Sequence, residues 1–271
     1  MSQPPLKGEA TSLLGRFDWL LTVQSVLVYL FLWAPVVILV VFSFNSSRQV
    51  VVWDHASLHW YEVLFQDELL LSALKRSLWV ATLTTVVTVL LGTPAALALA
   101  RFSFRGKGLY GRLVELPILV PEIVMASSLV IFFGFLGLRL SMTTVVVSHV
   151  AFSISYIIIT VRARLAGFDR SLEEAAMDLG ADEFQTFRRI TLPLIFPGIV
   201  SGALLVFTIS LDDYLITSFV TGVGSTTLPV QIYAMVKQGI SPEINAVSTV
   251  LLVITVTTIA IAQLLQRSTS R

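Results

Sequence analysis

Seven stretches of the chain contain no Asp, Glu, Lys or Arg, and most of them are as long as a membrane-crossing helix. They cover residues 19–47, 77–100, 123–138, 140–161, 190–211, 214–236 and 244–266. A helix needs about 20 residues to cross a hydrocarbon core of about 30 Å. The pattern therefore predicts six membrane-spanning helices near residues 20–44, 77–100, 114–138, 142–162, 194–220 and 245–265.

The third and fifth predicted spans contain residues that lower their hydropathy. The third includes Pro117, Pro121 and Glu122, and the fifth includes Asp212 and Asp213. An Asp at the centre of a bilayer costs about 2.5–3.5 kcal/mol on insertion scales. We therefore expect these carboxylates to face protein or water rather than lipid. Adjacent helical residues lie about 100° apart, so one aspartate can face a pathway while the other contacts a neighbouring helix.

The composition is that of an integral membrane protein. Of 271 residues, 55% are hydrophobic and 13% are charged, and the mean hydropathy is +0.85, whereas soluble domains carry about a quarter charged residues. Lys and Arg (18) nearly balance Asp and Glu (17), so no basic surface indicates a nucleic-acid partner. The absence of Cys excludes disulfides, thiol nucleophiles and iron–sulfur clusters. We expect an all-α protein in the lipid bilayer.

The distribution of Lys and Arg predicts that both termini are cytoplasmic, because cytoplasmic loops near span ends are enriched in these residues. With six spans, 13 of the 18 fall on that side: Lys7, Arg16, Arg101, Arg105, Lys107, Arg112, Arg162, Arg164, Arg170, Arg188, Arg189, Arg267 and Arg271. The predicted organisation is a cytoplasmic segment 1–19, one transmembrane domain 20–266 and a cytoplasmic tail 267–271. The first apolar stretch lacks a small-residue cleavage site, so we expect an uncleaved anchor.

The cytoplasmic loop between the fourth and fifth predicted spans is expected to form two short helices. Ser171 and Glu174 match a capping box, and Gly180 is predicted to end the first helix. Asp182 is predicted to cap a second helix that stops before Pro193. A helix pair lying on the membrane is the alternative, but it would favour a basic polar face, and the polar residues here are largely acidic.

This loop also carries a family signature. The run Glu174-Ala175-Ala176, followed by Gly180, Ile190 and Leu192-Pro193, resembles the EAA signature of ABC importer permeases. The resemblance implies a type I importer permease with a coupling helix, in the loop 163–193, that sits in a groove of a separate ATPase subunit. The residues it implicates are Glu173, Glu174, Ala175, Ala176, Asp178, Leu179 and Gly180. No G-x-x-x-x-G-K-[ST] sequence is present, so ATP and Mg²⁺ are expected on that partner and no cofactor on this chain.

The resemblance extends over roughly residues 30–266 and, within the family, is to polyamine (spermidine and putrescine) permeases of the second-subunit type. The segments that carry it are FSFNSS at 42–47, LEEAAMDLG at 172–180, SLDDY at 210–214, TTLP at 226–229 and SPEINA at 241–246. It implies a heterodimer with a second permease subunit, two copies of an ABC ATPase, and a soluble solute-binding protein that delivers the substrate outside. Other solutes carried by related permeases, ferric iron or an oxyanion, are the alternatives.

Acidic side chains are the candidates for a polyamine pathway. Asp212 and Asp213 suit ammonium groups, Glu122 is a second acidic candidate, and Ser210 is a candidate hydrogen-bond partner for an amine. Glu122 could instead be a solvated residue at a helix break. For the two aspartates the alternative is an ion pair with a cation on the outer side, such as Arg139, Lys75 or Arg76.

Aromatic and imidazole groups complete the candidates. Trp60, in the first outer loop, could receive an alkylammonium ligand on its ring face, or could simply lie at the membrane interface as Trp often does. His149 is interpreted as a hydrogen-bonded packing residue. His55 and His59 would bind a metal only if their segment were helical and a third ligand joined them, so no metal site is predicted.

The functional alternatives come from different classes. A self-contained channel or proton-coupled carrier could use Asp212 and Asp213 as a proton relay, but the coupling-loop signature indicates a partner ATPase instead. No nucleophile elbow, metal-ligand cluster or glycosidase-like carboxylate pair predicts an enzyme. The sequence therefore predicts a non-catalytic permease.

Overall fold

The computed structural model describes residues 10–49, 52–239 and 241–269. The predicted N-terminal segment 1–19 lies within this part only from residue 10, and the predicted tail 267–271 only to residue 269. The helices are α1 Ala10–Ser43, α2 His59–Gln66, α3 Glu68–Arg101, α4 Lys107–Leu119, α5 Glu122–Phe135, α6 Met142–Ala166, α7 Ser171–Asp178, α8 Glu183–Thr186, a π-helical turn Phe187–Thr191, α9 Leu192–Asp212, α10 Leu215–Val220, α11 Leu228–Gln238 and α12 Pro242–Thr269.

Within the described residues, five helical segments are long and apolar enough to cross a membrane, and the bent pair α4 and α5 makes a sixth if it is counted as one span. The predicted third span, 114–138, corresponds to this pair, which bends by 108°. The bend lies at Val120 and Pro121. Proline has no N–H and restricts the preceding residue to an extended backbone, and Val120 has φ −74° and ψ 130°.

The predicted fifth span, 194–220, is also interrupted. Helix α9 ends at Asp212, and the short helix α10 begins at Leu215. Asp213 adopts an extended backbone between them, with φ −68° and ψ 118°. Its side chain accepts a hydrogen bond from the Thr217 N–H at 2.7 Å, which satisfies a donor in the first turn of α10. The chain therefore changes direction directly after the two aspartates.

Helices α3, α6 and α9 pack against one another and form the centre of the protein. Ile157 of α6 lies between two glycines. A Cβ on Gly92 of α3 would lie 2.8 Å from the Ile157 side chain, and a Cβ on Gly202 of α9 would lie 2.9 Å from it. Gly198 and Gly202 form a small face of α9 that lets this helix approach α6 closely.

These three helices connect two ends of the protein that we name for use below. The loop end contains residues 102–106 and 167–191, and the break end contains residues 44–58, 136–141 and 213–227. At the break end the loop between α1 and α2 folds around Asn45, which is 1% exposed. Its side-chain amide donates to the Val52 carbonyl and its side-chain oxygen accepts from the Asp54 N–H. The FSFNSS segment thus shapes this loop.

Helix α1 differs from the other spans because, within its described span Trp19–Ser43, only the last residue, Ser43, is buried within this chain. It packs against α12 and otherwise presents large apolar side chains outward, such as Phe31 and Leu30. A helix that is apolar and exposed all round requires lipid or another membrane protein around it.

Candidate functional site

At the loop end, α7 begins with a different cap from the predicted one. The Asp169 side chain accepts a hydrogen bond from the Ser171 N–H at 3.0 Å, and this bond lowers the pKa of Asp169 below its usual value. No side-chain cap forms at the N-cap residue, Arg170. The predicted capping box of Ser171 and Glu174 is therefore wrong, because Asp169 supplies the acceptor two residues earlier.

The end of α7 agrees with the prediction. Gly180 adopts the left-handed conformation, with φ +91°, which glycine reaches without a steric penalty. The Ala181 N–H then donates to the Ala176 carbonyl at 3.0 Å, as in common glycine-terminated helix ends. Asp182 caps the following helix by accepting from the Gln185 N–H at 2.7 Å. Both predictions, the helix end at Gly180 and the cap at Asp182, are confirmed.

The predicted helix stop before Pro193 is wrong. The helical path continues from Glu183 to Asp212 through the π-helical turn Phe187–Thr191. Pro193 lies in the first turn of α9, a position where proline is tolerated. The residue before it, Leu192, donates its N–H to the Phe187 carbonyl across the π-helical turn. The second loop helix and the fifth span are therefore one continuous element.

The two glutamates at the start of α7 have opposite environments. The Glu173 side chain is 7% exposed and forms an ion pair with Arg101, the last residue of α3. It also accepts a hydrogen bond from the Thr191 hydroxyl in the π-helical turn. Glu174, the next residue, is exposed. Among the residues implicated in coupling, Glu173 thus joins α7 to the helical core.

The other residues that the sequence implicates in coupling lie on the surface. Ala175, Asp178, Leu179 and Gly180 are exposed, and Ala176 is partly exposed. Large apolar side chains surround them, and Leu179 is 90% exposed. We call this surface the coupling patch; it also includes Leu172, Met177 and Phe184. Exposed apolar patches with a polar rim mark sites of protein interaction.

At the break end, Asp213 belongs to a buried polar cluster. Its side chain is 6% exposed, and its Oδ2 accepts from both the N–H and the hydroxyl of Thr217 at 2.7 Å. His149 of α6 is fully buried, with Nε2 3.2 Å from Asp213 Oδ2 and 2.9 Å from the Thr217 hydroxyl oxygen. Its Nδ1 lies 2.7 Å from the Ser210 hydroxyl. This cluster joins α6, α9 and α10 at the helix break.

The hydrogen bonds of the cluster fix the roles of the imidazole nitrogens. Thr217 has one hydroxyl hydrogen, which it donates to Asp213. The His149 Nε2–H is therefore the donor toward Thr217 and Asp213, and with a neutral ring Nδ1 accepts from Ser210. The interpretation of His149 as a hydrogen-bonded packing residue is confirmed. The predicted ion-pair alternative is wrong for Asp213, because its partner is His149 rather than Arg139, Lys75 or Arg76.

Asp212, unlike the Asp213 side chain, is exposed. It lines a cavity of about 470 Å³ together with Glu122, Asp213, Thr208 and Tyr214. Glu122 is the first residue of α5, directly after the break at Pro121. The two helix breaks therefore bring the acidic residues of the third and fifth predicted spans to one cavity, which we call the acidic cavity. Among the described residues, no group of three or more His, Asp or Glu side chains is arranged to hold a metal ion.

Two candidates lie away from this cavity. Ser210 is 3% exposed and is engaged with His149, so its geometry does not support an amine contact. Trp60 is 8% exposed on α2 and does not line the acidic cavity, which does not support an open ring face at the mouth. His55 lies outside any helix and is bonded to Ser46 and Asp54, whereas His59 begins α2.

Arg101, Thr191 and Thr217 are site partners that sequence reasoning missed. Arg101 was assigned to the cytoplasmic side by the distribution of charges, but no local pattern indicated its partner, which lies 72 residues away along the chain. Thr191 and Thr217 are single hydroxyl residues within apolar segments. A search for Ser and Thr near membrane carboxylates would have found Thr217, four residues after Asp213.

The sequence matches a described protein family and curated relatives. Residues 88–271 match the family described as binding-protein-dependent transport system inner membrane component. The chain is 41% identical over 244 residues to the spermidine/putrescine transport system permease protein PotC of Escherichia coli strain K12, covering 90% of this chain and 92% of that protein. It is also 41% identical over 244 residues to the putrescine transport system permease protein PotI of the same strain, covering 88% and 86%.

Solved structures share the fold at low sequence identity. A chain of a bacterial ABC transporter involved in the import of the acidic polysaccharide alginate has a TM-score of 0.71 and 16% identity, covering 96% of this chain and 99% of that one. A chain of the methionine ABC transporter MetNI in an inward-facing conformation has a TM-score of 0.60 and 20% identity, covering 76% and 100%. Likeness at this level concerns the fold alone.

Proposed function

Since this chain belongs to the family of binding-protein-dependent transport system inner membrane components, we propose that it is the membrane-spanning permease subunit of an ATP-driven ABC importer for polyamines. The observation that supports a polyamine substrate is the 41% sequence identity, over most of both chains, to two permeases named for spermidine and putrescine. The fold by itself leaves the substrate open, since a transporter involved in importing an acidic polysaccharide shares it.

The acidic cavity supports a cationic substrate. Polyamines carry several ammonium groups at neutral pH, and carboxylates provide strong, charge-assisted hydrogen bonds to such groups. Asp212 is exposed in this cavity and Glu122 faces the same space, whereas Asp213 is engaged with His149 and Thr217. In this proposal Asp212 and Glu122 contact the substrate, and Asp213 holds the helix break that presents them.

The coupling patch supports a mechanism driven by another subunit. Its apolar side chains and exposed Ala175 allow a second protein to approach the backbone of α7 closely. We assign ATP and Mg²⁺ to two copies of a partner ATPase that contacts this patch through Glu174, Asp178 and Leu179. Movement of α7 is transmitted to α3 through the Glu173–Arg101 pair, which switches the permease between outward-facing and inward-facing states.

The rest of the assembly follows from the same proposal. The exposed spans, α1 above all, leave surface for a second permease subunit as well as for lipid. The larger number of Lys and Arg residues near the loop end than near the break end supports a cytoplasmic position for the loop end and both termini. The break end then faces outward, where a solute-binding protein delivers the polyamine to the acidic cavity.

Uptake of labelled putrescine and spermidine by cells expressing the complete transporter tests this function. We compare the wild type with Asp212→Asn at matched membrane levels, and Glu62→Gln, an exposed acidic residue of α2, is the matched control. The wild type and the control should import at least one amine, and Asp212→Asn should raise KM about tenfold, the equivalent of one charge-assisted hydrogen bond.

Two results would contradict the proposal, one for the substrate assignment and one for the role of the acidic cavity. If the wild type imports neither amine, the substrate assignment is wrong. If the wild type imports an amine and Asp212→Asn has an unchanged KM, the protein is a polyamine permease but the acidic cavity does not bind the substrate.

A further inference from the structure

A second cavity shares Asp212 with the acidic cavity. Its volume is about 520 Å³, and its lining includes Tyr214, Tyr233 of α11 and the apolar side chains Ile232 and Leu251. Asp212 therefore lies where the two cavities meet. The second cavity has only this one carboxylate, while most of its other lining residues are apolar.

The two tyrosines of this cavity are in direct contact. Their ring centroids are 4.3 Å apart and their planes are inclined by 39°. Tyr214 lies at the break between α9 and α10, and Tyr233 lies in the middle of α11. Two separate elements thus place aromatic rings beside the Asp212 carboxylate. Aromatic faces attract cations through the negative potential of the π system.

An ammonium group already lies on one of these rings. The Lys237 Nζ is 4.8 Å from the centroid of the Tyr233 ring, within the distance of about 6 Å at which cation–π attraction operates. Lys237 is on the same helix, one turn after Tyr233, and is exposed. Because its side chain is a primary alkylammonium, this contact indicates that the ring can accept the same chemical group that ends a polyamine.

We propose that Asp212, Tyr214 and Tyr233 form a binding site for a primary alkylammonium group, and that Lys237 is the internal competitor for the Tyr233 ring. This inference rests on the proposed function and extends it to a second subsite. The ligand's ammonium replaces that of Lys237 on the ring and pairs with Asp212, while its methylene chain contacts Ile232 and Leu251. A second ammonium of the same molecule can then reach Glu122 in the acidic cavity, since Asp212 lines both.

The assignment separates the roles of the ring, the hydroxyl and the lysine. Phenylalanine keeps the π face and leucine removes it, so Tyr233→Phe preserves the site and Tyr233→Leu destroys it. Removing the competitor has the opposite sign: Lys237→Met frees the ring, whereas Lys237→Arg retains a cation there. A site that merely stabilises the fold predicts no gain from Lys237→Met.

The experiment measures KM for putrescine uptake through the complete transporter. Cation–π contacts of 0.5–2 kcal/mol correspond to about 2- to 30-fold in affinity. We expect Tyr233→Leu to raise KM by about tenfold, Tyr233→Phe to stay within about twofold, and Lys237→Met to lower KM by about threefold. Tyr29→Leu, at an exposed position of α1, is the matched control and should equal the wild type. An unchanged KM in Tyr233→Leu, or a raised KM in Lys237→Met, overturns the proposal.

A binding measurement keeps the test independent of the transported substrate. Equilibrium dialysis of labelled butylammonium against the purified complete transporter asks whether the site binds an alkylammonium at all. Binding by the wild type that is lost in Tyr233→Leu supports the site even if no polyamine is imported, in which case only the proposed function fails. No saturable binding by the wild type, or equal binding by Tyr233→Leu, overturns the site.

Discussion

One pair of adjacent acidic residues at the loop end and one pair at the break end are divided in the same way. At the loop end Glu173 is buried against Arg101 and Thr191, and Glu174 is exposed. At the break end Asp213 is buried against His149 and Thr217, and Asp212 is exposed. In each pair one carboxylate fixes local structure, which leaves its neighbour free to meet a partner or a ligand.

The two buried carboxylates differ in how they are satisfied. Glu173 has a cationic partner, Arg101, whose side chain is 26% exposed. Asp213 has two donors on Thr217 and a fully buried His149. Water can reach Arg101 if its partner is lost, whereas it cannot readily reach His149. The break end should therefore be the more sensitive of the two to loss of its buried acid.

The largest effect is expected from Asp213→Ala. It leaves the Thr217 N–H and the Thr217 hydroxyl without their acceptor and removes one of the two acceptors of the His149 Nε2–H, and each unpaired buried donor costs about 1–3 kcal/mol. We expect a loss of stability of about 3–5 kcal/mol and a fall of about 10 °C in the unfolding temperature of the purified complex. Asp212→Ala is the control and should change that temperature by less than about 2 °C. Equal falls in unfolding temperature for both variants would contradict the assignment of a structural role to Asp213 alone.

A smaller effect is expected from Glu173→Ala. The change removes the ion pair with Arg101 and the bond from Thr191, but the guanidinium can regain water at the surface. We expect a loss of about 2 kcal/mol and a fall of about 5 °C in the same thermal assay. Substituting Arg101 as well should add little, because the two side chains contribute one shared interaction. Fully additive losses in the double variant would contradict this.

Ser210→Ala tests the far side of the buried cluster. It removes only the hydroxyl that is hydrogen-bonded to His149 Nδ1, so we expect a loss of stability of about 1 kcal/mol and a shift of about 3 °C in the unfolding temperature. KM for putrescine uptake should stay unchanged, since Ser210 does not line the acidic cavity. A raised KM without a change in unfolding temperature would instead indicate that Ser210 contacts the substrate.

The smallest effect on stability is expected from Glu174→Lys, because Glu174 is exposed. Its unfolding temperature should lie within about 2 °C of the wild type. The coupling patch, however, gains a charge of the opposite sign, so the variant should co-purify with less ATPase subunit or lose substrate-stimulated ATP hydrolysis. Normal stimulated hydrolysis with full assembly would show that Glu174 has no part in coupling.

The sequence predicted those features that depend on local chemistry. The apolar stretches indicated the membrane helices, Gly180 indicated the end of α7, and Asp182 indicated the next cap. The EAA run and the polyamine-permease segments indicated the family. Each of these signals lies within a few consecutive residues, so neighbouring helices are not needed to interpret it.

What the sequence did not predict depends on contacts between distant residues. The partners of Glu173 and Asp213 lie on other helices, and nothing near either acid indicates Arg101 or His149 as the partner. Trp60 is buried because α2 packs against α12 and α3. The sequence around Trp60 did not indicate this packing. The continuation of the helix through Pro193 required the π-helical turn, which has no established single-sequence signal.

The close packing of Ile157 between Gly92 and Gly202 has a mechanical consequence. A side chain at either glycine would clash with Ile157, so α3 and α9 are in close contact with α6, and we expect the three helices to tilt as one lever rather than shear. The 21 residues of α9 rise about 31 Å, and a tilt of about 5° about its first turn would move its far end by about 3 Å. A small rotation at α7 is thereby enlarged into a displacement comparable to the diameter of an ammonium group.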